Sequence, residues 1–397
     1  MRNSGRRVRD YDDYDERDVG RSRRDPGDRR VRSGAEAGRR RAAAEAKKRA
    51  KKRRRIVLLI LEMLVLLLLV GAVWFVRKGT SIQKVTINEE DIVINENVAT
   101  SETLKGYKNI ALFGVDARDK SLGKGNRSDT IIIASINEDT GEVRLCSVFR
   151  DTYLNLGNDT YNKCNAAYAK GGPEQAINML NMNLDLNITD YVTVGFTGLT
   201  KIIDALGGVT IDVHDNEIDH LNNYQISMVG KSDDKEHFYA TEGKDYTAVT
   251  SSGPQTLNGL QATAYCRIRY VGDDFERAKR QRTVLTECME TAKKSNAKEL
   301  AAAYDGVKDY VSTSLDSDEI VDLMGRIGRY KIVADDGFPF ESNRATGKVG
   351  SKGSCVIPVN LEENVIMLQK FLFDDDSYVP SDEVKNYSSK VSADTGY

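Results

Sequence analysis

Residues 110–152, IALFGVDARDKSLGKGNRSDTIIIASINEDTGEVRLCSVFRDT, hold three short apolar runs, each meeting an Arg or Asp at one end. The runs Ile110 to Val115, Thr130 to Ile136 and Val143 to Val148 are rich in β-branched residues and bounded by turn residues, which predicts strands. Asn137 to Gly141 is a short, turn-rich link, so the second and third strands should form an antiparallel hairpin. If the first also runs antiparallel to the second, the ends bearing Asp116, Arg127, Asp129, Arg150 and Asp151 fall at one sheet edge. Guanidinium forks match phosphate oxygens, and paired carboxylates suit a divalent cation that also bridges phosphates.

Further along, strand and helix signals alternate. Pro173 to Leu184 places Ala176, Ile177, Leu180 and Leu184 on one helical face. Leu199 to Leu206 reads as a second helix and Val209 to Val213 as a strand. Gln261 to Tyr270 reads as a strand whose alternation puts Tyr265, Arg267 and Arg269 on one face. Glu276 to Lys294 reads as a long helix that Asp273 would cap, with Arg277, Arg280 and Gln281 on a shared face. Cations in the first turns of a helix oppose its dipole unless an anion shares that end. The expected class is α/β: a single mixed sheet covered by helices.

Outside this body the charge is divided. Residues 1–55 hold 22 Lys and Arg against 10 Asp and Glu, a net of +12, while the remainder holds 36 against 50, a net of −14. Between Ile56 and Val76 the only charge is Glu62. At about 1.5 Å per residue this apolar run would span a bilayer core of roughly 30 Å as one transmembrane helix. The basic flank Lys47 to Arg55 then keeps residues 1–55, a disordered tail, in the cytoplasm and the C-terminal body outside. Residues 77–106 read as a stalk or lead-in, 107–373 as the folded body, and 374–397 as a disordered, solvated tail.

Five Cys and three His show no metal-ligand spacing, which argues against thiol or zinc chemistry. The cysteines read as small buried apolar residues. The short tail has no recognisable DNA-binding fold, so no nucleic-acid partner is expected.

From roughly Asn109 to Leu285 the chain resembles the LytR–CpsA–Psr family of bacterial cell-envelope proteins. The resemblance rests on Leu112 to Arg118 (LFGVDAR), Arg127 to Thr130 (RSDT) and Phe149 to Tyr153 (FRDTY). It continues through Lys163 to Tyr168 (KCNAAY), Asp204 to Val209 (DALGGV), Leu257 to Gly259 (LNG), Arg267, Arg269 and Asp274 to Gln281. Phe149 stands where a Pro often precedes Arg-Asp, and Cys164 where an Ile is common. His214 to Pro254 is long and polar, and Ala334 to Pro358 is not covered.

The resemblance implies a glycopolymer ligase at the outer face of the cytoplasmic membrane. Such a ligase moves a polymer from a polyprenyl-pyrophosphate carrier through a phosphodiester onto peptidoglycan, with an apolar groove for the lipid. It implies Asp116 and Asp129 as holders of Mg2+ on the pyrophosphate. It places Arg118, Arg127, Arg150, Arg267, Arg269, Arg277 and Arg280 around the oxygens, with Gln281 beside them. Asp151 is a candidate general base, or a structural partner of Arg150. A pyrophosphatase and a non-catalytic lipid-pyrophosphate binding protein are the alternatives.

Overall fold

The alternation along the apolar runs is realised as a sheet buried on both faces. The computed structural model describes residues 83–84, 87–117, 121–232 and 237–397; the expected tail at 1–55 and membrane helix at 56–76 lie outside them. Among the described residues, no helix is long and apolar enough to cross a membrane.

Seven strands form the central sheet: β1 (Gln83–Lys84), β2 (Tyr107–Val115), β3 (Ser128–Asn137), β4 (Glu142–Val148), β5 (Asp190–Gly195), β6 (Val311–Thr313) and β7 (Lys331–Phe338). Their order is β1-β6-β5-β2-β3-β4-β7. The pairs β2–β3 and β3–β4 are antiparallel, while β2–β5 and β4–β7 are parallel, so the sheet is mixed as expected. This topology brings the end of β2, the start of β3, and the ends of β4 and β5 to one edge.

One face receives Ala111, Phe113, Val115, Ile131, Ile133, Cys146 and Val148. The other receives Ile110, Ile132, Ala134, Ile136, Val143 and Leu145. Helix α1 (Asn165–Leu184) covers the first face and is broken at Gly172, whose φ of 73° only glycine adopts freely. Pro173 therefore opens the second segment, where sequence placed a helix start. The opposite side carries α2 (Phe196–Ala205), α3 (Asp215–Val229), α4 (Gly259–Tyr265) and α5 (Asp274–Lys294). Each fully buried Leu, Ile or Phe contributes about 1.5–3 kcal/mol.

Three expectations need correction. Gln261 to Tyr270 is not a strand. Asn258 and Gln261 form a reciprocal capping box that starts α4, and irregular backbone follows it. The alternation Tyr265, Arg267, Arg269 imitates a strand, but the satisfied cap wins. Residues 374–397 are not a solvated tail. They include α7 (Asp382–Thr395), which follows α6 (Leu361–Phe373) and buries Val384 and Val391 in the core that also holds Val365 and Leu368. Residues 87–106 are also part of the body, with Val98 and Leu104 buried in that core.

Asp185 joins these outlying pieces. It ends α1 in a left-handed conformation and is fully buried. Its carboxylate accepts from Asn95 of the lead-in, from Tyr378, and from the backbone N–H and hydroxyl of Ser381 at 2.9 and 2.8 Å. Burial and that carboxylate hold the Tyr378 hydroxyl protonated far above its ordinary range. Asp185→Ala strands several buried donors, each worth about 1–3 kcal/mol. The expected outcome in denaturant titration is a loss of at least ~2 kcal/mol, against near-wild-type stability if the node is dispensable.

Candidate active site

A cavity of about 580 Å3 opens between the sheet and the helices of the second face. Alternation supplies one wall: Leu112 and Gly114 of β2, Thr130 and Ile132 of β3, and Val192 and Val194 of β5. Helix α2 adds Phe196, Leu199 and Ile202, α5 adds Val284, Leu285 and Cys288, and α3 adds Tyr224. That portion is apolar. The sheet-edge end is lined instead by Asp116, Asp129, Arg150, Arg267, Arg269, Arg277 and Gln281. Gly114 leaves room for the side chain of Thr130, since a Cβ there would lie 2.8 Å from Thr130 Cβ.

A β-bulge aims one carboxylate. Gly114 pairs with Thr130 but Val115 pairs with Ser128, so Asp129 is the extra residue. In a regular strand Asp129 and Thr130 would face opposite ways; the bulge lets both line the cavity. It also frees backbone groups, and the Asp129 carbonyl accepts from the Arg277 guanidinium.

Around Asp129 the charges interlock. Arg150 Nη1 donates to Asp129 Oδ1 at 2.7 Å, and Arg269 Nη2 lies 3.8 Å from Oδ2. Asp274 is a second hub, 3.1 Å from Arg277, 3.6 Å from Arg150 and 3.9 Å from Arg269. Arg267 lies over the rings of Phe196 and Tyr224, 4.5 and 5.4 Å from their centroids. Among the described residues, four guanidiniums thus converge on a site whose carboxylates are fewer.

Arg277 shows the consequence. Its side chain is 4% exposed. Burial lowers its pKa to about 10; Asp274 resists the shift and the neighbouring Arg150 and Arg269 reinforce it. For Arg150 burial also favours the neutral form, yet Asp129 and Asp274 outweigh it and raise the pKa. An anion near Arg277 would supply the missing countercharge.

The structure separates the remaining predicted residues. Arg118 lies outside the described residues. Arg127 is exposed and lines a different cleft. Asp151 does not line the cavity; its carboxylate sits 3.4 Å from Lys163 and 3.9 Å from Arg150 Nε. Arg280 is buried away from the cavity. It donates to Glu217 at 2.7 Å and to the carbonyls of Ile268 and Val271 at 3.2 and 2.8 Å. A protein carboxylate, not a ligand, answers this cation, and the bonds fix the loop that presents Arg267 and Arg269.

Asp274 was missed as a site residue, although its i,i+3 spacing from Arg277 was visible. Nothing local signals Glu217. All five cysteines are free, as expected of packing residues.

For a metal, no cluster of three His, Cys, Asp or Glu exists among the described residues. Asp116 and Asp129 nevertheless line the same end of the cavity, and Asp116 makes no ion pair with a described residue. One or two carboxylates plus substrate phosphates is the usual donor set for Mg2+, so the residues fit that ion as a partner of a bound diphosphate.

Residues 73–347 match the family model described as the LytR_cpsA_psr family. A polyisoprenyl-teichoic acid–peptidoglycan teichoic acid transferase, TagU of Oceanobacillus iheyensis, is 33% identical over 229 residues, spanning 55% of this chain and 62% of the relative. Biofilm regulatory protein A of Streptococcus mutans is 28% identical over 317 residues, spanning 70% and 72%. A crystal structure of a Streptococcus agalactiae protein superposes with a TM-score of 0.56 at 24% identity, covering 71% of this chain and 94% of that one. At that identity the likeness speaks for the fold.

Glu217→Ala leaves the Arg280 charge buried without its partner, a change that typically costs about 3–5 kcal/mol. Chemical denaturation should register that loss. A change within ~0.5 kcal/mol would contradict the role given to the pair.

Proposed function

This chain belongs to the LytR–CpsA–Psr family, and from that premise we propose that it transfers a glycopolymer from a polyprenyl-pyrophosphate carrier to a peptidoglycan hydroxyl. The observation that carries the reading is the continuity of one cavity. Its apolar walls suit a prenyl chain, and its arginine end suits a diphosphate. The name of the Oceanobacillus relative supplies the polymer class, a teichoic acid, and the peptidoglycan acceptor.

In the proposed reaction the acceptor hydroxyl oxygen forms a bond to the phosphorus that carries the polymer. The bond from that phosphorus to the bridging oxygen breaks, polyprenyl phosphate leaves, and the hydroxyl proton passes to solvent water. Arg150, Arg267, Arg269 and Arg277 hold the diphosphate oxygens and stabilise charge as it moves onto the leaving phosphate. Their orientation is set beforehand by Asp129, Asp274 and the two aromatic rings under Arg267. The apolar wall fixes the lipid and so aligns the leaving group. Mg2+ held by Asp116 and Asp129 would neutralise charge on the phosphate oxygens. Asp151, 3.4 Å from Lys163 and 3.9 Å from Arg150, is read as a structural partner of those cations.

The same reading puts the body at the outer face of the cytoplasmic membrane. The supports are the apolar run 56–76 and the basic residues before it.

The test is incubation of the full chain, in detergent, with a lipid-pyrophosphoryl oligosaccharide, Mg2+ and peptidoglycan fragments. Joined product is expected. Release of a phosphate-terminated sugar alone would make the protein a hydrolase, and unchanged bound lipid a binding protein. Arg150→Lys, which loses the bidentate fork, should lower transfer by about 10²-fold. Asp116→Ala with Asp129→Ala should abolish the Mg2+ requirement together with most activity; retained Mg2+-dependent transfer would rule out the two-carboxylate arrangement.

A further inference from the structure

A second cleft, of about 320 Å3, shares no lining residue with the first. Arg127, Asn162, Lys163, Asn165, Ser351 and Lys352 line it. They come from four separate segments: the loop before β3, the short strand Tyr161–Lys163, the first turn of α1, and the turn Gly350–Lys352. Among the described residues, three cations thus meet in one small space, and the lining holds no carboxylate. Asp151, 3.4 Å from Lys163, is the one acidic partner of these cations among the described residues.

Asn165 points to what completes the cleft. It is 3% exposed, and its side-chain oxygen has no hydrogen-bond partner among the described residues. A buried carboxamide oxygen left unpaired costs about 1–3 kcal/mol, which a donor from a ligand would recover. Inorganic phosphate or carboxylate alone would satisfy the cations but offers that oxygen little. A saccharide bearing an acidic group offers both: an anion for Lys163, Lys352 and Arg127, and hydroxyls for Asn165 and Asn162.

The cleft is coupled in space to the arginine cavity. Arg150 lines the cavity, and the next residue, Asp151, pairs with Lys163 of the cleft. We propose that this cleft is a subsite for an anion-bearing saccharide, adjoining the diphosphate end of the main cavity. Two sources share that chemistry, the phosphate-bearing sugar of the donor polymer and the carboxylate-bearing sugar of the acceptor. Which one occupies the cleft rests on the transfer reading above; the anionic-sugar chemistry does not.

The experiment titrates the full chain in detergent with N-acetylglucosamine 1-phosphate, N-acetylmuramic acid and neutral N-acetylglucosamine, and separately with octaprenyl pyrophosphate. At least one charged sugar should bind about tenfold more tightly than the neutral one, a difference of roughly 1.4 kcal/mol. Preference for the phosphate marks the donor's sugar, and preference for the carboxylate marks the acceptor's. Lys163→Gln with Lys352→Gln should remove that preference while leaving octaprenyl pyrophosphate affinity unchanged. Should the double variant fail to fold, Lys352→Gln alone, in an exposed turn, gives the same readout at partial strength. Equal binding of charged and neutral sugars, or an undiminished preference in a folded variant, overturns the proposal. Loss of octaprenyl pyrophosphate binding by the unaltered chain, with charged-sugar binding intact, would instead refute the transfer reading and leave the cleft standing.

Discussion

A guanidinium enclosed almost completely by protein is the constraint around which this site is organised. Arg277 is too buried to be hydrated as an exposed arginine is, and its one ion-paired carboxylate among the described residues, Asp274, is shared with Arg150 and Arg269. Burial and like charge together lower its pKa to about 10, so both disfavour its charged form. Such an arrangement costs stability unless something else is gained. A diphosphate at the same place would relieve all four arginines at once. The bulge at Asp129, the ring stacking of Arg267 and the cap on α5 all hold that arrangement in position before any ligand arrives.

The support extends outward through the other arginines of α5. Arg280, bound to Glu217 and two carbonyls, fastens the loop after α4. Arg282 reaches Asp335 of β7 at 2.5 Å and Ser147 of β4 at 2.8 Å, tying the helix to the sheet. Three arginines within one and a half turns therefore do different work. Only Arg277 faces the cavity; the others fix the elements that place it. Fixing of side chains by such contacts separates a reactive site from one that merely holds the same groups.

Much of this was legible in residues 110–152, because strand alternation and short turns are local and leave few pairings open. The gathering of Asp116, Asp129 and Arg150 at one edge followed from them. Local patterns misled at 261–270, where Tyr265, Arg267 and Arg269 alternate like a strand although Asn258 and Gln261 already encode a helix start. The C-terminal helix was also encoded, by Val384, Tyr387 and Val391 at helical spacing, but the surrounding Ser, Lys and Asp hid it. The Glu217–Arg280 pair spans 63 residues, and no periodicity announces such a contact. Arg127 and Asp151 were placed at the right edge, yet edge position does not fix the direction of a side chain. Arg127 lines the second cleft, and Asp151 pairs with Lys163 of that cleft.

The cavity is amphipathic along its length: an apolar wall between sheet and helices, closed at the sheet edge by arginines. A crystal structure of the chain with octaprenyl pyrophosphate should place diphosphate oxygens within hydrogen-bond distance of Arg150, Arg269 and Arg277, and the prenyl chain against Val192, Leu199 and Val284. Lipid bound elsewhere, or a diphosphate held without these arginines, would rule out an amphipathic lipid-pyrophosphate cavity.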